Sequence, residues 1–199
     1  MITLGLTGSL GAGKTTVAKI FQKLGARILN ADRSVHELLK NDRSVFHRVK
    51  KTFGADILTA GRIDRRKLAE VVFSAPRRLK QLTDIVHPAV IRDILRQVAA
   101  IGRRSKKAIV VVDAALLIES GLLRQLDYCI VVKVSKRTQL KRILRKNAGS
   151  LKQARQRIRS QLSTKEKLKY ADIVIDNNGT LATTKQQVET IWQRMLAKS

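Results

Sequence analysis

The chain has 199 residues, of which 44% are hydrophobic and 4% aromatic, so we expect one α/β domain with a mostly aliphatic core. Its 41 basic and 15 acidic residues give a net charge of +26, which fits either nucleic-acid binding or a solvated face that attracts a polyphosphate substrate, and the second is favoured. No apolar run approaches the roughly 20 residues of a membrane span. The single cysteine, Cys129, excludes an internal disulfide, and we expect it in the core of a cytoplasmic protein.

The first predicted elements form a phosphate-binding loop. An apolar strand at residues 2–6 precedes the sequence GSLGAGKT at residues 8–15, which matches the pattern G-x-x-x-x-G-K-[ST]. A helical pattern follows it, with apolar residues at positions 17, 20, 21 and 24. Lys14 would reach the β- and γ-phosphates of a nucleoside triphosphate, and the Thr15 hydroxyl would ligate Mg²⁺. The residues expected to hold the nucleotide here are Gly11, Ala12, Gly13, Lys14, Thr15 and Thr16.

Four more β-rich runs follow, at residues 27–29, 108–113, 128–134 and 172–175. Their nearly continuous Val, Ile and Leu content is typical of strands buried on both faces of a parallel sheet. Helical patterns lie between them, which predicts a three-layer, doubly wound sandwich around a five-stranded parallel sheet. We assign residues 1–33, 102–134 and 170–199 to this core.

Residues 34–101 are predicted to be a mostly helical insertion in the core. Asp64 is expected to cap a helix over residues 65–73, and Pro76 and Pro88 each fit the first turn of a further helix. Because His87 precedes Pro88, its backbone is expected to be extended. The other two histidines, His36 and His47, are expected at the surface.

Residues 135–169 are predicted to form a mobile lid of two short helices joined near residues 147–150. The stretch 133–169 carries fourteen basic residues and one acidic residue. Arg142, Arg145 and Lys146 lie on one helix, from which a guanidinium could neutralise charge on a transferring phosphoryl group. The last helix, at about residues 181–197, is expected to dock on the core through Val188, Ile191, Trp192, Met195 and Leu196.

Two carboxylates follow predicted strands. Asp32 could accept the proton of an acceptor hydroxyl, or it could be a helix N-cap. Asp113 ends an apolar strand in the Walker-B pattern and is expected to hold Mg²⁺, with a strand-end cap as the alternative. Glu119 is a weaker candidate for the same metal.

These motifs together resemble the dephospho-CoA kinase family over nearly the whole chain. The matching segments are residues 5–18, Asn30-Ala31-Asp32 with His36, residues 63–68 with Val72 and Phe73, residues 85–88, Leu116-Leu117 with residues 119–121, Gln139, Arg142, Arg157 and Gln161, residues 165–167, and residues 176–179. The chain departs from the family pattern at Lys146, where a second lid arginine is usual. It also has Ala115 and Ile118 where proline and phenylalanine are usual.

The resemblance implies a P-loop kinase that uses ATP and Mg²⁺ to phosphorylate the ribose 3′-hydroxyl of dephospho-CoA. The products are coenzyme A and ADP, in the last step of coenzyme A biosynthesis. Residues 34–101 would be the CoA-binding insertion and residues 135–169 the lid. The implied catalytic residues are Asp32, Lys14 and Arg142, the adenine would lie beside Asn178 and Gly179, and the substrate contacts would be Asp32, His87, Leu116 and Arg157. We expect a monomer or a weak homo-oligomer.

Two other functions fit parts of the sequence. A nucleoside monophosphate kinase would share Lys14, Thr15 and the lid arginines, but it would not need residues 63–73 or His87-Pro88. A nucleotide-switched RNA-binding protein would explain the charge of +26. No RNA-binding aromatic motif or helix-turn-helix pattern accompanies that charge, so no specific nucleic acid is expected. Two phosphorylated substrates do not require a net charge of +26, so the surplus positive charge has no physical explanation from the sequence.

Overall fold

The computed structural model describes residues 1–146, 158 and 161–198. The chain divides into two compact units, the first formed by Met1–Asn30 with Gln97–Ser199 and the second by Ala31–Arg96. The roles predicted for residues 34–101 and 135–169 remain predictions.

The strands in chain order are β1 (Ile2–Thr7), β2 (Arg27–Asn30), β3 (Leu58–Thr59), β4 (Arg62–Ile63), β5 (Ile109–Asp113), β6 (Tyr128–Lys133) and β7 (Ile173–Asp176). The described helices are α1 (Lys14–Leu24), α2 (Ala31–Asn41), α3 (Arg43–Phe53), α4 (Arg65–Phe73), α5 (Pro76–Arg104), α6 (Lys136–Lys146), α7 (Thr164–Leu168) and α8 (Leu181–Leu196), with a short 3₁₀ helix at Leu122–Gln125.

The first unit is built on a five-stranded sheet in the order β2-β5-β1-β6-β7. All four ladders are parallel, which confirms the predicted α/β fold. Every residue of β1 and β5 is buried, and β5 is apolar along almost its whole length rather than alternating. Because parallel strands end at the same edge, the loop after β1 and the ends of β2 and β5 meet there.

Helices α1 and α8 cover one face of this sheet. Their apolar residues Phe21, Trp192 and Met195 belong to the same buried cluster as the side chains of β1 and β6. The prediction that the last helix docks on the core is confirmed, except at Leu196, which is 44% exposed. Leu196 follows Met195 by one residue, about 100° around the helix, and so falls outside the apolar stripe.

The second unit contains α2, α3, α4, most of α5 and the β3–β4 hairpin. Asp64 caps α4 as predicted, because its carboxylate accepts hydrogen bonds from the backbone N–H groups of Arg66 and Lys67 at 2.8 and 3.3 Å. These bonds hold the pKa of Asp64 below its usual value. Asp42 caps α3 in the same way through Val45.

The predicted helix boundary at Pro88 is wrong. Residues Pro76–Arg104 form one helix of 29 residues with Pro88 inside it, so His87 is helical and not extended. A proline within a helix costs about 3 kcal/mol because it removes a hydrogen bond. The buried side chains of Ile85, Val86, Ala89 and Val90 flank Pro88 and offset this cost. Pro76 begins the helix as predicted.

Cys129 lies in β6 with 1% of its surface exposed, which confirms its predicted place in the core. Burial raises the pKa of its thiol to about 11. None of the described helices combines the length and the apolar composition that crossing a bilayer requires.

Candidate nucleotide-binding site

Two glycines of the loop between β1 and α1 have a left-handed backbone. Gly11 and Gly13 have φ values of 82° and 95°, in the left-handed region that side chains with a Cβ rarely adopt. Gly13 immediately precedes α1, so the loop leads directly into the first, unsatisfied N–H groups of that helix. This is the backbone geometry of an anion-binding helix N-terminus.

Asn177, which follows β7, supports the loop from behind. Its side chain is buried, and its Nδ2 donates a hydrogen bond to the Ala12 carbonyl at 2.8 Å. Its Oδ1 accepts a bond of 2.8 Å from the hydroxyl of Thr184 in α8. A Cβ at position 13 would lie 2.1 Å from Asn177 Nδ2, so this close approach also requires Gly13.

Helix α6 is attached to the same loop through two side chains. Arg142 donates from Nη1 to the Ala12 carbonyl at 3.3 Å and from Nη2 to the Asn177 carbonyl at 2.9 Å. Gln139 Nε2 donates to the Leu10 carbonyl at 2.7 Å. The guanidinium predicted to contact phosphate therefore lies against the loop predicted to bind phosphate.

Lys14 and Asp113 form an ion pair at the carboxyl edge of the sheet. Lys14 Nζ lies 3.2 Å from Asp113 Oδ1, and the Asp113 side chain is 5% exposed. Asn30 Nδ2 donates to Asp113 Oδ2 at 3.3 Å. The contact with Lys14 does not have hydrogen-bond geometry, so the buried Oδ1 atom is left with an ionic neighbour and no hydrogen-bond donor.

The residues at this edge fit a metal ion that arrives with a nucleotide. The buried Oδ1 of Asp113, which has no hydrogen-bond donor, is a hard oxygen ligand, and Thr15 adds an exposed residue with a hydroxyl at the start of α1. Within the described part of the chain, no group of three His, Cys, Asp or Glu residues could hold a metal by itself. Phosphate oxygens would have to complete the coordination.

A buried ion pair fastens α7 beneath the loop. Lys167 has no exposed surface, and its Nζ lies 2.8 and 3.1 Å from the two carboxylate oxygens of Glu119. The same Nζ donates to the Ala115 carbonyl at 2.8 Å and contacts the Thr7 hydroxyl at 3.5 Å. Both carboxylate oxygens of Glu119 are thus engaged by Lys167, which argues against Glu119 as a metal ligand.

Two further contacts hold α7 in place. Ser163 and Glu166 form a capping box at its start, and the resulting hydrogen bonds keep the pKa of Glu166 low. The hydroxyls of Thr164 and Ser9 lie 3.0 Å apart, which joins α7 directly to the loop.

A cleft of about 400 Å³ lies beside α6. It is lined by Arg137, Thr138, Lys141, Arg142, Arg145 and Asn178. Asn178 is fixed by accepting a bond from the Ser135 N–H at 2.7 Å and by donating to Asp176. The backbone N–H of Asn178 is the main reason that the pKa of Asp176 is lowered. Gly179 follows at the surface.

The chain matches the family model "CoaE: Dephospho-CoA kinase" over residues 2–183. The chain belongs to this family. A dephospho-CoA kinase of Syntrophus aciditrophicus is 38% identical over 199 residues, covering 100% of this chain and 85% of the relative. One from Symbiobacterium thermophilum is 41% identical over 194 residues, covering 97% and 81%.

Solved structures agree with the family assignment. Dephospho-CoA kinase from Campylobacter jejuni is similar with a TM-score of 0.73 and 29% identity, covering 98% of each chain. The protein TT1252 from Thermus thermophilus has a TM-score of 0.79 at 29% identity, covering 97% of each. Shikimate kinase from Acinetobacter baumannii, at 19% identity and a TM-score of 0.57 over 100% of this chain and 95% of that one, shares the fold alone.

Asp32, which the family resemblance assigns as the base, is the second residue of α2 and is exposed in the second unit. It lies past the first residue of the helix, which argues against an N-cap role. Asn30, two residues earlier, contacts Asp113 in the first unit. Two peptide units span at most about 7 Å between α-carbons, so the chain keeps the backbone of Asp32 close to the end of β2.

The remaining predicted contacts are scattered along the chain. His87 is half-buried in α5, and Leu116 is half-buried in the segment after β5. Arg157 lies outside the described residues. His47 is at the surface as predicted, but His36 is half-buried with an inaccessible Nδ1 that has no hydrogen-bond partner.

Three residues of the site were missed or misjudged from the sequence. Asn177 and Lys167 stood in segments that resembled the family, but nothing in their local pattern indicated that they support the loop. Glu119 was considered only as a weaker candidate for the neighbourhood of the metal, because it lies six residues after Asp113. No local signal in the sequence indicated its ion pair with Lys167, because the burial of that lysine depends on contacts between distant positions.

Proposed function

We propose that the protein is a dephospho-CoA kinase, which transfers the γ-phosphoryl group of ATP to the ribose 3′-hydroxyl of dephospho-CoA. The observation that carries this proposal is the edge of the first unit, where the loop, Lys14, Asp113 and Arg142 converge in a chain of this family. Phosphoryl transfer depends mainly on positioning and charge neutralisation, and these groups are suited to both.

In this proposal, ATP lies with its phosphates on the loop. The backbone N–H groups of Gly11, Ala12, Gly13, Lys14, Thr15 and Thr16 surround the phosphates, and Lys14 exchanges part of its contact with Asp113 for the γ-phosphate. Arg142 neutralises the charge that spreads over the transferring group. Its present bonds to two carbonyl groups orient the guanidinium for that role.

The metal in this proposal is Mg²⁺, held by the Thr15 hydroxyl and the carboxylate of Asp113. When bound, it supplies positive charge to the β- and γ-phosphate oxygens. The Oδ1 atom of Asp113 supports this assignment, because it is buried without a hydrogen-bond donor and its compensating cation is Lys14, at 3.2 Å. If Lys14 turned to the γ-phosphate, a metal ion would take its place beside this oxygen.

Asp32 is proposed as the base that accepts the proton of the 3′-hydroxyl. A carboxylate can accept this proton, and its negative charge also orients the hydroxyl toward the γ-phosphate. The adenine is proposed to lie at the cleft near Asn178 and Gly179, where the guanidinium planes of Arg142 and Arg145 offer stacking surfaces.

The other side of the substrate is proposed to contact His87, Leu116 and Arg157. Residues 34–101 would hold the CoA portion, and residues 135–169 would act as the lid. We further propose that the protein works in the cytoplasm as a monomer or a weak homo-oligomer.

The experiment that tests this function is a product analysis. The purified protein is incubated with ATP, Mg²⁺ and dephospho-CoA, and the phosphate position in the product is assigned by ³¹P and ¹H NMR. Parallel reactions contain nucleoside monophosphates or RNA in place of dephospho-CoA. Phosphate on the ribose 3′-oxygen is expected, and phosphorylation of a nucleoside monophosphate at a comparable rate would contradict the proposal.

The role of Asp32 is tested by Asp32→Asn, with Glu37→Gln on the same helix as a matched control. We expect kcat to fall by on the order of 10²-fold or more in Asp32→Asn, while ATP affinity is unchanged. Glu37 is exposed, so its variant should keep the wild-type rate. Equal rates in the two variants would leave Asp32 without a catalytic role.

A further inference from the structure

A second group of basic side chains surrounds the edge of the first unit opposite the phosphate-binding loop. The amino ends of β1, β2 and β5 share this edge because the three strands are parallel. The chain enters β2 from α1 and enters β5 from α5, so the carboxyl ends of both helices lie near it. The exposed basic residues here, which we call the basal cluster, are Lys23, Arg27, Arg103, Arg104, Lys106 and Lys107.

The basal cluster is not neutralised by the described part of the chain. None of its six side chains forms an ion pair with a described residue. No acidic residue occurs between positions 94 and 112. Asp127 and Asp172, near the same edge, bind the backbone N–H groups of Thr3 and Cys129.

Helix stabilisation explains only part of this charge. Lys23, Arg103 and Arg104 lie in the last turns of α1 and α5, where each cation contributes about 0.3–1 kcal/mol through the helix dipole. Arg27, Lys106 and Lys107 lie outside both helices and have no such role.

Attraction of ATP does not explain the basal cluster either. The six residues of β1 separate it from the loop, and at about 3.3 Å per residue this is a distance of about 20 Å. Exposed charges are screened over about 8 Å at physiological ionic strength. The cluster therefore has little influence on a nucleotide at the opposite edge.

We propose that the basal cluster binds the phosphodiester backbone of double-stranded nucleic acid without sequence preference. Dense, unpaired Lys and Arg are what such binding requires, because they displace condensed counterions. The cluster contains no aromatic side chain, which disfavours stacking on single-stranded bases. A groove of about 550 Å³ lies next to the cluster, with Arg27 and Ile101 among its lining residues.

A membrane surface fits the basal cluster less well. Interfacial membrane binding needs an apolar face as well as basic residues. Among the described residues near this edge, the large exposed apolar side chains are Met1 and Leu196, which are 40% and 44% exposed. Two such side chains bury little area in a bilayer and do not make up an apolar helix face, so the charge is better matched by a nucleic acid duplex.

The test measures binding to an RNA duplex of about 20 base pairs by fluorescence anisotropy, from about 50 to about 200 mM KCl. The variant Arg103→Gln/Arg104→Gln/Lys106→Gln/Lys107→Gln removes four charges from the cluster. The matched control, Arg43→Gln/Arg48→Gln/Lys50→Gln/Lys51→Gln, removes four exposed charges from α3 in the second unit. Anionic phosphatidylserine vesicles are tested in parallel.

We expect the slope of log K against log salt to fall by about 3 in the basal variant and by less than about 1 in the control. The phosphorylation rate of the basal variant should equal that of the wild type, because its changes lie far from the loop. Absence of duplex binding at about 50 mM KCl, or equal losses in both variants, would overturn the proposal. Vesicle binding that the basal variant loses, without duplex binding, would also overturn it in favour of a membrane.

Discussion

Removing either partner of the Lys167–Glu119 pair should destabilise the first unit strongly. Lys167 is fully buried and Glu119 is 17% exposed, so each charge depends on the other for compensation. Breaking a buried pair by removing one partner costs about 3–5 kcal/mol, whereas removing both charges costs far less. We expect Lys167→Met and Glu119→Gln each to fall in this range. The double variant should lose only about 1–3 kcal/mol, mainly because the Ala115 carbonyl loses the donor that Lys167 supplies.

The free energy of unfolding is measured by urea titration of the four proteins. Trp192 is the only tryptophan in the chain and lies in the core of the first unit, so its fluorescence reports on this unit. The exposed pair Lys185–Glu189 on α8 is the matched control, and its variants should change the free energy by less than about 1 kcal/mol.

The double-mutant cycle decides whether the two charges depend on each other. The sum of the two single losses should exceed the loss in the double variant by at least about 3 kcal/mol. Losses that add to within about 0.5 kcal/mol would refute the reasoning, since they would mean that each side chain acts independently.

Three other changes test the loop and the core. Gly13→Ala should lower ATP affinity at least about tenfold by calorimetry, because the Cβ would lie 2.1 Å from Asn177 Nδ2 and φ is 95°; unchanged affinity would contradict the loop assignment. Arg142→Lys should lower kcat about tenfold or more in a coupled assay, because lysine lacks the planar fork that reaches two carbonyls; full activity would exclude the proposed role. The buried thiol of Cys129 keeps its proton in the folded state up to a pKa of about 11, against 9.0 when exposed. The contribution of the Cys129 thiol to the free energy of unfolding should therefore be complete below about pH 9 and decrease as pH rises to about 11. Urea titrations of Cys129→Ala should lack this decrease.

Most of the correct predictions about the fold came from local sequence patterns. The loop, the strands of the parallel sheet and the Asp64 cap depend on residues within a few positions of one another, and these were predicted within one or two residues. The prediction that a helix begins at Pro88 was wrong because burial of the side chains on both sides of Pro88 outweighed the local preference of proline. The sequence around a single residue does not reveal this burial.

The parts of the site that sequence reasoning missed depend on contacts between distant positions. Asn177 donates a hydrogen bond to Ala12, which is 165 residues away in the sequence, and Lys167 contacts Thr7, which is 160 residues away. These contacts exist because β6 and β7 follow β1 in the order of the sheet, which brings the end of β7 beside the loop. Neither strand order nor a buried lysine can be read from hydrophobic periodicity, so the residues behind the loop required the structure.

The two ends of the proposed lid are attached to the loop with different strength. At its start, Gln139 and Arg142 donate hydrogen bonds to loop carbonyls near the surface, and each such bond contributes on the order of 1 kcal/mol, more for the charged donor. At its end, α7 is fixed by the fully buried Lys167, whose release would leave a charge without compensation. Displacement of α6 would therefore cost less than displacement of α7, and since Arg142 lies on α6, such a displacement would withdraw the guanidinium from the loop while α7 stayed in place.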